Sequence, residues 1–358
     1  MAIRSLSLST VIVAVVALGF VNGQPNPARE LNPQTVTFSA ERLPLRDALE
    51  QLRKQTGNAI GDARANPTND ILSLPKKPLT FWQALDAIGK DTGIGHSPYQ
   101  ADGGVALVDR TNRPQKTDYN GLFRFAFKGI TLSRDEETQA HLCKIQINVA
   151  WEPRLRLLFL NLEEAELMTP RRDAVSRQPA RNVAGTSAAD IELTANAPPR
   201  AQKEILALKG KLRAVGAPKT LEFEFAKFAG SMSQSQDGVK VSAKVVSQTV
   251  TRWSIDVEAE HSKDAVIKVQ SFEEPALREF LYQRVWLTWT DARTRKTHVI
   301  EKSGEADSQR TTGVVYTFLP KTDAPLPPPD ADVTLHFRTP NRVVPITAAF
   351  SFQNLPLP

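Results

Sequence analysis

The chain has 358 residues with a formal net charge of +6, 41% hydrophobic and 23% charged residues. That length suggests about two or three domains, and that composition supports packed cores rather than global disorder. A single cysteine, Cys143, excludes an intrachain disulfide framework and any multi-cysteine metal site. The five histidines are far apart in sequence.

Residues 1–23 read as a signal peptide. Arg4 supplies the positive end, VIVAVVALGFV at 11–21 the apolar run, and Val21 and Gly23 small residues before Gln24. The run would span only about 16 Å as a helix, against a bilayer core of roughly 30 Å. The mature chain is therefore expected to be exported, periplasmic or extracellular, and without a transmembrane segment. A lone cysteine suits an oxidising compartment, as a small buried hydrophobe.

After about residue 34 the sequence repeats itself without a gap at an offset of 36. Val36 and Phe38 match Leu72 and Leu74; Ala48-Leu49 matches Ala84-Leu85, and Thr56-Gly57 matches Thr92-Gly93. Each copy predicts a short strand and then an amphipathic helix. Leu45, Ala48, Leu49 and Leu52 fall on one helical face, as do Phe81, Ala84, Leu85 and Ile88. Pro44 suits a first helical turn. Thr80 and Gln83 have capping-box spacing, and Gly57 and Gly93 stand where left-handed caps are wanted. A hairpin follows, turning at Asp102-Gly103-Gly104 and returning through Val105-Ala106-Leu107-Val108.

The segments VTFSAERLPLRDALEQLRKQTGNAI at 36–60 and LSLPKKPLTFWQALDAIGKDTGIGHSPYQADGGVALVD at 72–109 resemble the short N-terminal domain (STN) of secretins and TonB-dependent receptors. The resemblance covers about a fifth of the chain. It implies a small two-helix α/β module over residues 34–112 that contacts other proteins in the periplasm and brings no catalytic residues. The remaining chain is too short for a receptor barrel. The whole chain also resembles uncharacterised exported bacterial proteins with C-terminal β-sandwich domains, through NVAWEPRLRLLFLNL at 148–162 and ITAAFSFQNLPLP at 346–358.

From residue 117 the period becomes two. Phe123, Phe125 and Phe127 alternate with Arg124, Ala126 and Lys128, and Cys143, Ile145, Ile147 and Val149 form a second strand. Glu152-Pro153 breaks the run before RLRLLFLNL. A polar stretch follows with Arg171, Arg172, Arg177 and Arg181, a pattern that is usually solvated surface. Strands at Ile191 and Leu193, then from Leu221 to Phe352, complete two β-rich regions, 117–198 and 199–358. Both are expected as immunoglobulin-like sandwiches without the Cys–Trp–Cys core. The expected fold class is thus α+β, with a stiff proline loop at 325–329 and a helical turn near 275–280.

The search for chemistry returns little. No GxSxG, HExxH, Walker A or GxGxxG pattern occurs. Glu163, Glu164, Glu166, Glu273, Glu274 and the isolated Asp62 read as surface carboxylates, and His96, His141 and His336 as structural histidines. No catalytic, cofactor-binding or metal residue is assigned. Trp286 and Trp289 lie three apart on one predicted strand and so face opposite ways. With Arg293, Arg295 and Lys296 in the following hairpin they are the candidate contact for an anionic partner. Diffuse charge and export argue against nucleic acid. The reading is a non-enzymatic envelope protein that docks a protein partner through its N-terminal module by strand addition. The alternatives are a carbohydrate- or peptidoglycan-acting protein using a carboxylate pair, and a soluble accessory of a secretion or uptake complex.

Overall fold

The computed structural model describes residues 31–100, 103–111, 115–134, 136–137, 140–169, 172–175, 180–282, 284–291, 293–306, 313–321, 325–328 and 331–358. The signal-peptide segment lies outside them, as do Asp102 of the expected turn, Arg171 and Arg177 of the basic stretch, and Pro329. The described chain is rich in β-strand, arranged in several sheets, with three helices. None of these helices is long and apolar enough to cross a membrane.

The sequence repeat is a structural repeat. In chain order the first unit contains β1 (Thr35–Val36), β2 (Arg42–Pro44), α1 (Leu45–Thr56), β3 (Ile60–Asp62), β4 (Ile71–Ser73), β5 (Leu79–Thr80), α2 (Phe81–Thr92), β6 (Ile94–Ser97) and β7 (Val105–Thr111). The helices match end for end at the offset of 36. Each stops at a glycine with positive φ, Gly57 at 70° and Gly93 at 72°, a conformation costly for residues with a Cβ. The preceding threonine repeats its role too. Thr56 Oγ1 donates to Leu52 O at 2.6 Å and Thr92 Oγ1 to Ile88 O at 2.8 Å. The two starts differ. Thr80 and Gln83 form the reciprocal capping box, whereas Pro44 precedes α1 with no side-chain cap.

Strand pairing crosses between the copies. β1 pairs with β5 and β2 with β4, both antiparallel. The first strand of each copy thus pairs with the second strand of the other, so neither copy closes its own sheet. β7 departs from the repeat. It runs between β3, to which it is parallel, and β6, to which it is antiparallel. One core holds both copies, with Leu45, Ala48, Leu52, Phe81, Trp82, Leu85 and Ile88 buried.

Two sandwiches follow. The first has the sheet order β14–β10–β9–β8 from β8 (Thr117–Asn120), β9 (Phe123–Arg134), β10 (His141–Trp151) and β14 (Ala188–Asn196). Its second sheet contains β11 (Arg156–Met168), β12 (Arg172–Ala174), β13 (Arg181–Asn182), β15 (Glu204–Ala217) and β25 (Val344–Pro356). Alternating residues of both sheets meet in one layer, where Phe125 and Phe350 lie 5.1 Å apart between ring centroids.

The second sandwich is built from residues between β15 and β25. One sheet runs β16 (Thr220–Phe225), β24 (Val333–Pro340), β20 (Arg284–Thr290), β21 (Thr297–Glu301). The other runs β17 (Ser231–Gln236), β18 (Val239–Gln248), β19 (Trp253–His261), β23 (Gly313–Phe318), β22 (Gly304–Ala306). A helix, α3 (Glu274–Leu281), enlarges the turn expected near 275–280. It closes a small cluster at the junction, where Phe280 packs with Leu158, Phe159, Ala217 and Val343.

This pairing corrects the expected division at residue 198/199. Residues 199–217 and 344–358 are not part of the last sandwich: β15 and β25 pair along nearly their whole lengths and complete the middle one. The alternation of Ile346, Ala348, Phe350 and Phe352 marked a strand correctly but could not say which core it faced.

Candidate functional site

The expected tryptophan-and-basic contact does not assemble. Along β20, Val285, Leu287 and Trp289 point into the sandwich and Trp286 points out. Trp289 is only 8% exposed, stacks on His298 at 4.8 Å and donates Nε1–H to Pro325 O at 3.2 Å. Trp286 is 9% exposed despite facing outward. Its ring stacks on His336 at 4.9 Å, and the Arg284 and Arg338 guanidinium carbons each lie 5.0 Å from its centroid. Those arginines are paired in turn with Glu301 and Glu222. Arg293, Arg295 and Lys296 are exposed in the β20–β21 hairpin, which Asp291 shapes by accepting the N–H groups of Arg293 and Thr294. The basic tip thus stands without its aromatic partners.

The other singled-out groups have local roles. Asp62 accepts from Arg64 at 2.8 and 2.7 Å, and that guanidinium holds its carboxyl below the usual carboxylate range. Cys143 is fully buried in the first sandwich, and burial pushes its thiol up to about 11. Among the described residues no group of three or more His, Cys, Asp or Glu is placed to hold a metal ion.

The side chains that do converge lie at the seam between the first unit and the first sandwich. The sequence alternation in β9 and β10 marks one apolar face and says nothing of what lies against the other. In the structure the first unit packs against one end of that other face, where Arg124 and Ala150 are buried, while Lys128 and Gln146 further along it stay exposed. Small residues allow the approach: Ala150 and Ala188 of the sandwich belong to the core of the first unit.

Three polar contacts fix this seam. At the first, Glu152 is 0% exposed. It accepts from Asn58 Nδ2 at 3.0 Å and from Arg154 Nε at 2.7 Å, while Asn58 Oδ1 accepts the Arg154 N–H at 3.0 Å. Burial raises the Glu152 carboxyl, against the lowering effect of Arg154 and Asn58. At the second, Asp86 of α2 accepts from Arg124 Nε at 2.7 Å and from the Tyr119 hydroxyl. Burial and that carboxylate push Tyr119 up to about 12. At the third, Asn148 Nδ2 donates to Tyr99 Oη and to Asp190 Oδ1, both at 2.8 Å, and Lys128 Nζ pairs with Asp190 at 2.9 Å.

Between the second and third contacts lies a cleft of about 420 Å³. Its walls are Gly95, His96, Pro98 and Tyr99 on one side, Arg110 beside them on β7, and Arg124, Lys128, Asn148 and Ala150 on the sandwich. Arg110 reaches back to His96 O at 2.7 Å. Burial first, then the charge of Arg124, drives the His96 imidazole down to about 4, so it is neutral at pH 7. A separate groove on the sandwich flank is lined by Asp118, Tyr119, Glu164, Glu166, Lys209, Lys211 and Phe350. Sequence reasoning missed the seam because its partners lie from 33 to 96 residues apart. The available signal was the small residues Ala150 and Ala188 at the strand ends that meet the first unit.

No family model matches the chain, and no curated protein matches it. Among solved structures, a conserved domain protein from Bacillus anthracis is similar at 11% identity over 68% of this chain and 90% of that one, with a TM-score of 0.20. A score that low supports no assignment of fold or activity.

Proposed function

We propose that this chain is an exported cell-envelope protein that works by contact, presenting its duplicated N-terminal unit to a protein partner. The reading takes that unit as an STN-like α/β module in an α+β chain, and the β-regions as immunoglobulin-like sandwiches. It rests above all on the cross-paired duplicate being fixed to the first sandwich by three polar contacts, the one at Glu152 fully buried. A unit held that way is a rigid head rather than a tethered one, and ordering it on binding costs little. The contact mode is strand addition at β3, which among the described residues is paired on one side only. A cavity of about 400 Å³ lined by Leu45, Leu49, Ile60 and Gly61 lies beside it and would take a partner side chain.

The test uses the native cell. The mature chain should begin near Gln24 in an envelope fraction. A photocrosslinker at exposed Gly61 should capture a defined protein, whose identity decides between a secretion or uptake complex and another assembly. A chain retained in the cytoplasm, or recovered alone after crosslinking at Gly61, would overturn the proposal.

The flank groove favours a second reading, action on carbohydrate. Glu164 and Glu166, two residues apart on β11, both line it, and a pair of carboxylates is what glycoside hydrolysis uses. Release of reducing ends from cell-wall glycan, abolished by Glu164→Gln, would support it. No release by the parent chain would remove it.

A further inference from the structure

We propose that the seam cleft is a binding site for a small ring-bearing oxyanion, a carboxylate or a phosphate monoester. The proposal stands apart from partner docking, because the cleft faces β6 and β7 rather than β3. Three cations from two strands meet here: Arg110 on β7, and Arg124 and Lys128 on β9. Arg181, in β13, adds a fourth at the rim, where its guanidinium donates to Asp190 O at 2.9 Å. Against these four stand two carboxylates, Asp86 on Arg124 and Asp190 on Lys128. Neutral His96 changes nothing in that balance, so the cleft carries an excess of positive charge.

The donors differ in availability. Arg124 is buried and committed to Asp86. Arg110 is exposed, and its hydrogen bond to the neutral His96 carbonyl aims the guanidinium without neutralising it. Lys128 and Asp190 are half-exposed, a geometry in which the pair contributes little to stability and an incoming anion can share the lysine. A planar guanidinium fork takes a carboxylate or phosphate in bidentate fashion. The rest of the wall is apolar or amphipathic. Tyr99 is 53% exposed, with its hydroxyl already tied to Asn148, so its orientation is set before a ligand arrives. Pro98 and Ala150 complete a surface for a flat body. A volume of about 420 Å³ falls in the range of small-ligand sites.

The experiment is calorimetric titration of the mature full chain with phenyl phosphate, benzoate, inorganic phosphate and phenol. Saturable binding of phenyl phosphate or benzoate is expected, weakening with added salt, with inorganic phosphate weaker and phenol silent. The stronger of the first two assigns the anion type. Arg110→Met should weaken binding about tenfold or more, the loss of one charge-assisted contact. Lys128→Met should weaken it less, and Tyr99→Leu should bring phenyl phosphate down to the level of inorganic phosphate. Thermal melts confirm that each variant is folded. Absence of saturable binding by either ring-bearing anion, or unchanged affinity in both folded Arg110→Met and Lys128→Met, would overturn the proposal.

Discussion

Replacing Arg154 with methionine tests the joint between the first unit and the first sandwich. The arginine sits 2.7 Å from a carboxylate with no exposed surface, and its other nitrogen donates to Asn32 O at 2.6 Å. Methionine keeps the apolar stem and removes the charge. Removing one partner of a buried pair costs about 3–5 kcal/mol, because the remaining charge is left uncompensated. Here Glu152 has an escape. Its folded-state pKa is already raised, and without the guanidinium it rises further, so the carboxyl can take up a proton. A group with a raised folded pKa contributes stability that is full below the unfolded value and is lost as pH rises through the folded one. The deficit of Arg154→Met should therefore be smallest near pH 4 and grow with pH, reaching a few kcal/mol by pH 8. The double variant Glu152→Gln with Arg154→Met should recover most of the loss. The assay is urea unfolding followed by tryptophan fluorescence, since Trp151 adjoins the joint and Trp82 lies in the first unit. An Arg154→Met deficit under about 1 kcal/mol at pH 8, or one that does not vary with pH, would refute the account of a buried, charge-compensated joint.

Three further outcomes follow from the structure. His96, held down to about 4 from an unfolded value near 6.5, makes the unfolded state the stronger proton binder between those values, so stability falls as pH drops through that window. The loss reaches about 3 kcal/mol, and His96→Gln should flatten the slope in pH-dependent unfolding. Trp289→Ala should cost about 3–5 kcal/mol, as a core truncation. Trp286→Ala should cost less, about 1–2 kcal/mol from lost stacking and cation–π contacts, and equal losses in unfolding titrations would contradict the assigned faces. Cys143 should resist a thiol-reactive dye in the native protein and label fully in denaturant; native labelling would show that the first sandwich opens.

What was legible in the sequence was local. Helix periodicity, the Thr-Gly stop and the capping box involve residues within four of one another, and both helices fall where the repeat put them. Alternation likewise marked β9, β10, β19, β20 and β25, because a strand with one buried face must alternate.

Alternation states only that a face is buried, not what buries it. That is why β25 was assigned to the wrong sandwich, and why the burial of Arg124 under the first unit was not foreseen. It is also why Trp286 and Trp289 could be placed on opposite faces, while the closing in of Trp286 by Arg284, Arg338 and His336 could not be seen. The joint at Glu152 joins residues 94 apart in sequence, and Tyr99 and Asp190 at the cleft are 91 apart. Composition, charge and period therefore determined the elements and their buried sides. The pairing of elements, and with it every site at a seam, was decided by packing in three dimensions, since apolar faces of equal period are interchangeable until shape and buried polar partners choose between them.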